Sequence, residues 1–553
     1  MPELLISGGT VYDPAHGIDG EVRDLWIDGG KMIAAPADAS VKADRTLNAS
    51  GYVVMPGGID IHSHIAGPKV NMARKMRPEG SRQAEPVRRT MSAHSGTMGS
   101  VPSTFATGYK YAGMGYTTAF DAAVSPLFAR HAHEELENTP CIDKGFYVLV
   151  GNNHYVMQAL RNNDSTRVKS FLAWLLSATK GYAAKIVNPG GVEEWKLRAS
   201  GNVHSLDEKV HSFDVSPRQI IQALAGAVDE LGMPHAVHIH CNNLGLPGNW
   251  TTTLETMQTL EGRRGHLAHI QFHSYAGGDV DEETFGSQVS SLAEFVNNNA
   301  NITVDVGQVL FGETTSMTAD GPIGYYLHNI YKTKWFSADI ESESGCGIAP
   351  IAYKNKSLVH AFQWAIGLEW FLLVNDPWQV AMSTDHPNGS SFLAYPQIIR
   401  LLMDRAFRDD VLKTVHPHVR QRSVLADLKR EYSLYEICII TRAGPARMLG
   451  LANKGHLGPG ADADITIYLP DDDKQKMFEL PRYVIKAGRV IVDNGEIKAD
   501  CYGKTLHISP AYDTSIEGDI SNWFDRHYSI RFRNYPVGEE SRDGSQVIPC
   551  RND

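Results

Sequence analysis

Residues 56–64 read PGGIDIHSH, a short apolar strand that ends in two histidines. Side chains two apart on a strand point the same way, so His62 and His64 present two imidazoles to one point. Zn²⁺ and related metal ions favour such ligand pairs. Taken alone, the pair could equally be ordinary surface or core histidines, and the rest of the chain has to decide between the two interpretations.

Around this stretch, residues 56–450 alternate short apolar strands with helical stretches, which is typical of a parallel α/β fold. Between the strands, segments such as 220–228 carry apolar residues at helical spacing. We therefore predict a (β/α)8 TIM-like barrel over residues 56–450. The strand candidates are residues 59–61, 116–120, 183–187, 236–240, 267–272 and 302–306.

Both ends of the chain are rich in short strands separated by turns. Residues 5–12 and 24–27 form this pattern near the start, and residues 463–468 and 484–495 repeat it near the end. The pattern predicts a small composite β-sandwich domain built from both termini, the alternative being two unrelated β segments. The predicted domains are residues 1–55 and 451–500 for the sandwich, 56–450 for the barrel, and 501–553 for a C-terminal arm that docks on the body or on another subunit.

Composition excludes several classes of protein. The 553 residues are 42% hydrophobic and 21% charged, which rules out disordered and collagen-like chains. A net charge of −11 argues against nucleic acid as a partner. No secretory signal is visible, and the longest apolar run, residues 171–176, is too short to cross a membrane. We expect a cytoplasmic protein.

Six cysteines are scattered without a C-x-x-C pair, which favours reduced thiols over a disulfide framework or a zinc ribbon. They are Cys141, Cys241, Cys346, Cys438, Cys501 and Cys550.

Further strand ends carry residues suited to metal binding. Lys185 lies inside an apolar strand, where an ammonium is costly unless it is paired or neutralised. If its amine added CO₂, the carbamate would be an anionic ligand able to bridge two cations. The alternative is that Lys185 faces outward or pairs with a carboxylate.

Histidines recur on the next two strand candidates. His238 and His240 share one strand face, and so do His269 and His273. Histidines directed at the axis with apolar residues directed at the helices are what a barrel active site requires. One ligand per strand is the simplest arrangement, and ordinary core histidines are the alternative.

Asp385 ends a short apolar strand, just before a Pro-Asn-Gly turn. An aspartate in this position could cap a helix or close an Asx turn. Together with the histidines, it could bind a metal and accept the proton of a bound water.

Taken together, these elements resemble the metal-dependent amidohydrolase superfamily of the dihydroorotase and hydantoinase type. The resemblance spans about residues 4–495. It rests on the segment 49–64, ASGYVVMPGGIDIHSH, and on a closing motif at 441–451, TRAGPARMLGL, followed by KGHLGPGADAD at 454–464.

Within the superfamily, several strings are most similar to the family formed by the A subunit of formylmethanofuran dehydrogenase and that of the bacterial formyltransferase/hydrolase complex. The segment 383–388, STDHPN, resembles the bacterial form more. The other strings are HIAGPKVNMAR at 64–74, KIVNPG at 185–190, HCNNLG at 240–245, QFHSY at 271–275 and TADGP at 318–322.

The resemblance implies a centre of two divalent metal ions, with zinc as the expected element, bridged by N6-carboxylysine at Lys185. The deeper ion would be held by His62, His64 and Asp385, and the second by His240 and His269. His238 and His273 stay open as alternatives. By position alone, the expected substrate contacts are Asn71, Arg74, Asn188 and Asn243.

The implied activity is hydrolysis of an N-formyl aminomethyl-furan coenzyme, either formylmethanofuran or its bacterial analogue, with Asp385 as the catalytic proton carrier. The implied partners are a formyltransferase and the other subunits of a hetero-oligomeric complex. Three alternatives remain: a dehydrogenase subunit that condenses formate with methanofuran, a hydrolase of cyclic amides, and a scaffold that has lost its metals.

Overall fold

The structure is a computed structural model that describes residues 1–83, 96–197, 201–278, 280, 283–337, 347–499, 501–538 and 544–551. Cys346 lies outside these residues. The other five cysteines form no disulfide among the described residues. Among the described residues, no helix combines the length and the apolar character needed to cross a membrane.

Eight parallel strands form the barrel, and their order in the sheet follows the chain. A further parallel bridge between Ser63 and His386 joins the two ends of the series. The predicted barrel is therefore confirmed. Barrel strands 1 to 8 are Gly58–Ser63, Tyr116–Val124, Asp143–Leu149, Ala183–Val187, Val237–His240, Gly265–Leu267, Ile302–Asp305 and Val380–Ala381.

The barrel strands are buried on both faces because helices cover their outer side. Barrel strand 2 is buried along its whole length, and the barrel core is continuous with the surrounding helices. The described α-helices of the chain are Pro68–Met76, Pro78–Gln83, Thr104–Gly113, Ala129–Glu137, His154–Arg161, Ser165–Thr179, Gly191–Leu197, Pro217–Glu230, Trp250–Thr259, Val289–Asn297, Gly321–Tyr331, Leu358–Leu373, Tyr395–Met403, Arg405–Thr414, Pro417–Arg422, Leu434–Cys438, Gly444–Leu449, Lys474–Glu479 and Ile516–His527.

One strand prediction is wrong in its extent. The apolar run 267–272 was expected to continue as a strand, but barrel strand 6 ends at Leu267. His269 has a left-handed backbone with φ of 34°, and a short 3₁₀ turn follows over Ile270–His273. His269 and His273 therefore lie on a turn rather than on one face of a strand.

The two termini build one nine-stranded sheet, so the predicted composite β-domain is confirmed. Val53–Pro56 from the N-terminal part pairs antiparallel with Ile465–Tyr468 from the C-terminal part. The sheet has a hydrophobic core of its own, drawn from both parts. Its other strands are Leu4–Asp13, Ile18–Asp28, Lys31–Ile33, Arg45–Asn48, Tyr483–Lys486, Arg489–Asp493 and Glu496–Ile497.

Between barrel strands 7 and 8 the chain forms an insertion that we call the lid, residues 312–353 without 338–346. It consists of the strands Gly312–Thr318, Phe336–Ser337 and Gly347–Tyr353, with the helix Gly321–Tyr331 between the first two. A separate two-stranded hairpin joins Tyr275–Ala276 to Gly286–Ser287.

The C-terminal arm docks on the barrel of its own chain. The strand Thr505–His507 pairs with barrel strand 3 at Lys144 and with the strand Ser545–Val547. Phe524 of the last helix contacts Trp174, with ring centroids 6.0 Å apart. The domain boundaries at residues 55, 450 and 500 stay a prediction.

A buried ionic cluster joins the β-domain to the barrel. Asp143 at the start of barrel strand 3 accepts from Lys486 at 2.7 Å and also pairs with Lys454. Asp464 accepts from the same two lysines, at 2.7 Å and 2.9 Å. Since all four side chains are buried, each charge depends on the others for compensation.

We expect Asp143→Asn to lower the free energy of unfolding by about 3–5 kcal/mol, because two buried ammonium groups lose a counter-charge. Urea denaturation followed by circular dichroism measures the change. As the matched control, Lys169→Ala removes the partially exposed pair between Lys169 and Glu230 and should cost less than about 1 kcal/mol. Equal losses in both variants would contradict this account.

Candidate metal centre

Six of the predicted site residues converge at the carboxyl ends of the barrel strands. There they line one cavity of about 820 Å³, which the lid covers on one side. Barrel strands 1, 4 and 5 supply one each, and the segments after barrel strands 1, 6 and 8 supply the others. They are His62, His64, Lys185, His240, His269 and Asp385.

The first group of candidate ligands is His62, His64 and Asp385. The Nε2 atoms of His62 and His64 lie 3.1 Å and 3.0 Å from the same carboxylate oxygen, Oδ1 of Asp385. One ligand atom from each of the three buried residues lies within 4.8 Å of the others. Two imidazoles and a carboxylate at this spacing suit a divalent transition metal.

Asp305, which the sequence patterns did not single out, ends barrel strand 7 and orients His62 of this group. His62 Nδ1 donates to Asp305 Oδ2 at 2.9 Å, and His266 Nε2 donates to the same oxygen at 3.1 Å. The backbone N–H of His269 donates to Oδ1 at 2.9 Å. A carboxylate on the far nitrogen of a ligating histidine fixes its tautomer and ring orientation.

The second group comprises His240, His269 and His273, whose ligand atoms also lie within 4.8 Å of one another. His240 Nε2 donates to Asp320 Oδ2 at 3.1 Å, which leaves Nδ1 for a metal. Both ring nitrogens of His273 and Nδ1 of His269 are buried with no hydrogen-bond partner within the described residues. His240 and His269 line the cavity, whereas His273 lies behind them.

The other alternative, His238, lies below the first group. Its Nε2 is 3.1 Å from His62 Nδ1, the nitrogen that points away from Asp385, and its Nδ1 is 3.0 Å from His235 Nε2. Both ring nitrogens of His238 are thus engaged with other side chains, and the residue does not line the cavity.

Lys185 faces the cavity from barrel strand 4. The side chain is buried, and no hydrogen-bond partner of its Nζ is found in the part of the chain that the structure describes. Burial lowers the pKa of Lys185 to about 8, although Asp305 and Asp385 oppose the shift. A lysine with a partly neutral amine can react with CO₂, since only the unprotonated nitrogen is nucleophilic.

His62 differs from His240 and His269 in the direction of its pKa shift. Burial opposes a charge on His62, but Asp305 and Asp385 outweigh burial and raise its pKa to about 9. Burial lowers the pKa of His240 and of His269, so both imidazoles are neutral at pH 7. Neutral imidazole is the form that binds metals.

A pair of divalent metal ions fits these residues. Buried polar atoms in proteins almost always have hydrogen-bond partners, and each exception needs a physical reason. Here Lys185 Nζ, His269 Nδ1 and the His273 nitrogens are exceptions in one small region. Divalent cations would accept the lone pairs of the imidazole nitrogens and would offset the buried charges of Asp305 and Asp385, whereas Lys185 would bind them only as a carbamate.

The predicted substrate contacts Asn71 and Arg74 lie outside the cavity lining. Asn71 donates to Glu135 and accepts from Arg74, while Arg74 also donates to the carbonyl of Pro102 at 2.9 Å. Their role in binding substrate stays a prediction.

The other two predicted contacts, Asn188 and Asn243, also have protein partners. Asn188 donates to Asp320 at 3.1 Å and accepts from Asn242 at 2.9 Å. Asn243 donates to Thr252 at 3.0 Å and lines a second cavity of about 240 Å³. Substrate binding by these two residues likewise stays a prediction.

Comparison with known proteins identifies the family. The amidohydrolase family model matches residues 45–492, and the chain therefore belongs to that family. It is 45% identical to Protein FwdA of Methanocaldococcus jannaschii, over 99% of this chain and 98% of that protein. It is 39% identical to the A subunit of the formyltransferase/hydrolase complex Fhc of Methylorubrum extorquens, over 99% of each.

A solved structure agrees with these matches. The X-ray structure of the formyltransferase/hydrolase complex from Methylorubrum extorquens, in complex with methylofuran, contains a chain that superposes with a TM-score of 0.93. The two chains are 36% identical, and the match covers 99% of each. The resemblance to this family of A subunits is therefore confirmed.

We expect Asp305→Asn to lower the pKa of His62 in the metal-free protein from its present value of about 9. Burial remains in the variant, whereas the largest favourable charge is lost. An NMR titration of the His62 ring measures the change. Asp207→Asn, which removes only an exposed partner of Arg218, should leave the titration of His62 unaltered.

Proposed function

We propose that the protein is a metal-dependent amide hydrolase that releases formate from an N-formyl aminomethyl-furan coenzyme, formylmethanofuran or its bacterial analogue. It would work in one-carbon metabolism as the amidohydrolase component of a cytoplasmic formyltransferase/hydrolase complex. The observation that carries this proposal is the full-length similarity to a chain of the complex solved with methylofuran. The clustered ligand set in the cavity supports it.

We assign the ligands as follows. His62, His64 and Asp385 would hold one divalent ion, His240 and His269 would hold a second, and Lys185, as N6-carboxylysine, would be a ligand shared by both. Zinc suits this set of imidazole and oxygen ligands. When bound, such ions polarise a carbonyl oxygen and lower the pKa of water to about 7.

Asp385 is the group that moves the proton. Burial opposes its ionisation, but His62 and His64 outweigh burial and hold the pKa of this carboxyl below its usual range. Asp385 is therefore a carboxylate at neutral pH and can accept a proton from the attacking water. It then gives this proton to the amide nitrogen, so that the amine leaves neutral and formate is the other product.

The cavity accommodates much more than a formyl group. Its volume of about 820 Å³ is within the range of ligand-sized sites. Away from the candidate ligands its wall is mostly apolar, which suits the aromatic part of a furan coenzyme. The apolar wall residues include Leu244, Phe272, Ile323, Leu327, Ile351 and Tyr353.

We expect Asp385→Asn to lower the rate of formate release about 10²–10⁴-fold, because the proton carrier is lost. The variant should still bind metal through the remaining ligands, as measured by elemental analysis. Asp410→Asn, which removes an exposed partner of Lys413, is the control and should keep full activity. Full turnover by Asp385→Asn would refute the assigned role.

We expect Lys185 to be carboxylated, and the extent to rise with pH. At fixed CO₂ pressure, the neutral amine grows from about a tenth at pH 7 to about half at pH 8, given its pKa of about 8. ¹³C NMR with labelled bicarbonate should show one carbamate that is absent in Lys185→Ala.

Lys144 is a matched control for this experiment. It is equally buried, and burial also lowers its pKa to about 8. However, its Nζ donates to the carbonyls of Thr139 and Gly503, at 3.2 Å and 2.8 Å. Lys144→Ala should therefore retain the carbamate signal. Loss of the signal in this variant, or its persistence in Lys185→Ala, would contradict the assignment.

A second candidate is the reverse reaction, condensation of formate with methanofuran in a formylmethanofuran dehydrogenase. The 45% identity to Protein FwdA supports this second candidate. Purification of the complex from the native cells distinguishes the hydrolase from the dehydrogenase. A formyltransferase without a molybdenum or tungsten subunit indicates the hydrolase, and the opposite result indicates the dehydrogenase. Assays on cyclic ureides test the hydantoinase and dihydroorotase alternatives.

A further inference from the structure

The lid contacts both halves of the candidate metal centre through one short segment. This segment, residues 317–320, comprises the last two residues of the first lid strand and the two residues that lead into the lid helix. Its first residue, Met317, is bound to the turn that carries Asp385, and its last residue, Asp320, is bound to His240. We call residues 317–320 the clasp.

The contact with Asp385 is made through Asn388. The Nδ2 of this buried residue donates to Asp385 Oδ1 at 3.0 Å, the oxygen that His62 and His64 approach. The same amide also donates to the Met317 carbonyl at 3.1 Å and accepts from the Met317 N–H at 2.5 Å. One side chain thus joins the carboxylate to the lid backbone by three hydrogen bonds.

Two further bonds hold the same turn to the lid. The hydroxyl of Tyr353, in the lid strand paired with the first one, donates to the carbonyl of Asn388 at 2.9 Å. Thr314 in the first lid strand donates to the carbonyl of Pro387. The turn after barrel strand 8 is therefore attached to the lid sheet by two further hydrogen bonds.

The contact with His240 is made through Asp320. This carboxylate is buried and accepts from His240 Nε2 and from Asn188 Nδ2, both at 3.1 Å. Its backbone carbonyl accepts from Gly324 in the first turn of the lid helix at 3.2 Å. Asp320 therefore links the candidate ligand on barrel strand 5 to the helix that forms one wall of the cavity.

We propose that the clasp sets the positions of Asp385 and His240, so that Asn388 and Asp320 are positioning residues for the reaction. This inference rests on the proposed function. The lid lines the cavity with Ser316 and Thr318 from its first strand and with Ile323 and Tyr326 from its helix. A substrate that fills the cavity would therefore contact the lid. The lid also orients Asp385 and His240, one proposed ligand of each metal ion.

The test compares Asn388→Leu and Asp320→Asn with wild type, using zinc-loaded protein and an N-formyl amine of the furan type. Leucine keeps the shape of asparagine but loses its three hydrogen bonds. Asparagine at position 320 brings an amide N–H towards Asn188 and removes the charge that faces His240. Asn329→Leu is the matched control, because it makes the same replacement of asparagine by leucine at an exposed position on the lid helix.

We expect kcat to fall about 10–100-fold in each positioning variant, the usual range for loss of a group that orients a metal ligand. KM should change less than about threefold, and Asn329→Leu should match wild type. The double variant should lose less than the product of the two single effects, since both act through one segment. A kcat within twofold of wild type in both single variants overturns the inference.

Two measurements separate positioning from a merely structural role. Melting temperatures within about 3 °C of wild type would exclude unfolding, and zinc titration should show weakened binding of about 10–100-fold in Asp320→Asn. Tyr353→Phe, which removes one lid bond without touching Asp385, should give a smaller fall in kcat than Asn388→Leu. The opposite order overturns the proposal. If wild type itself releases no formate, the proposed function fails instead.

Discussion

Burial of charge at the mouth of the barrel is the constraint on which the rest of the structure depends. Asp305 and Asp385 are almost completely shielded from water, and so are Lys185 and the histidines around them. Buried charges are tolerated only when other charges, dipoles or metals compensate them. This explains why Asp305 receives three hydrogen bonds, and it accords with the position of Lys185 and His269, whose side-chain nitrogens lack partners in the described residues and which line the cavity.

Two buried lysines on neighbouring barrel strands differ in the hydrogen bonds that their amines make. Lys144 and Lys185 are equally shielded, and their pKa values are lowered to a similar extent. Lys144 lies near the amino end of its strand, where backbone carbonyls solvate it. Lys185 points into the cavity, where the structure offers it only carboxylates at a distance and space for a ligand. The same chemical group thus has backbone acceptors in one place and no hydrogen-bond partner among the described residues in the other.

Much of the fold and of the candidate site could be predicted from the sequence, because period-two spacing places His62 and His64 on one side of a strand. The alternation of strands and helices likewise predicted the barrel. The turn at His269 could not be predicted, since an apolar run gives no sign of a left-handed residue inside it. Asp305, Asp320 and Asn388 were missed as functional residues because they act through contacts between distant segments, which spacing along the chain does not encode.

The pairing of Val53–Pro56 with Ile465–Tyr468 has a consequence for synthesis on the ribosome. Val54 and its partner Ile467 are 413 positions apart, the difference between their residue numbers. At a translation rate of about 5–20 residues per second, about 20–80 s pass between the synthesis of Val54 and that of Ile467. During this time the edge of the strand Val53–Pro56 that later pairs with Ile465–Tyr468 is unpaired, and unpaired strand edges can associate with other chains. Until residues 465–468 have been synthesised, this strand edge of the nascent chain is therefore available for pairing with other chains.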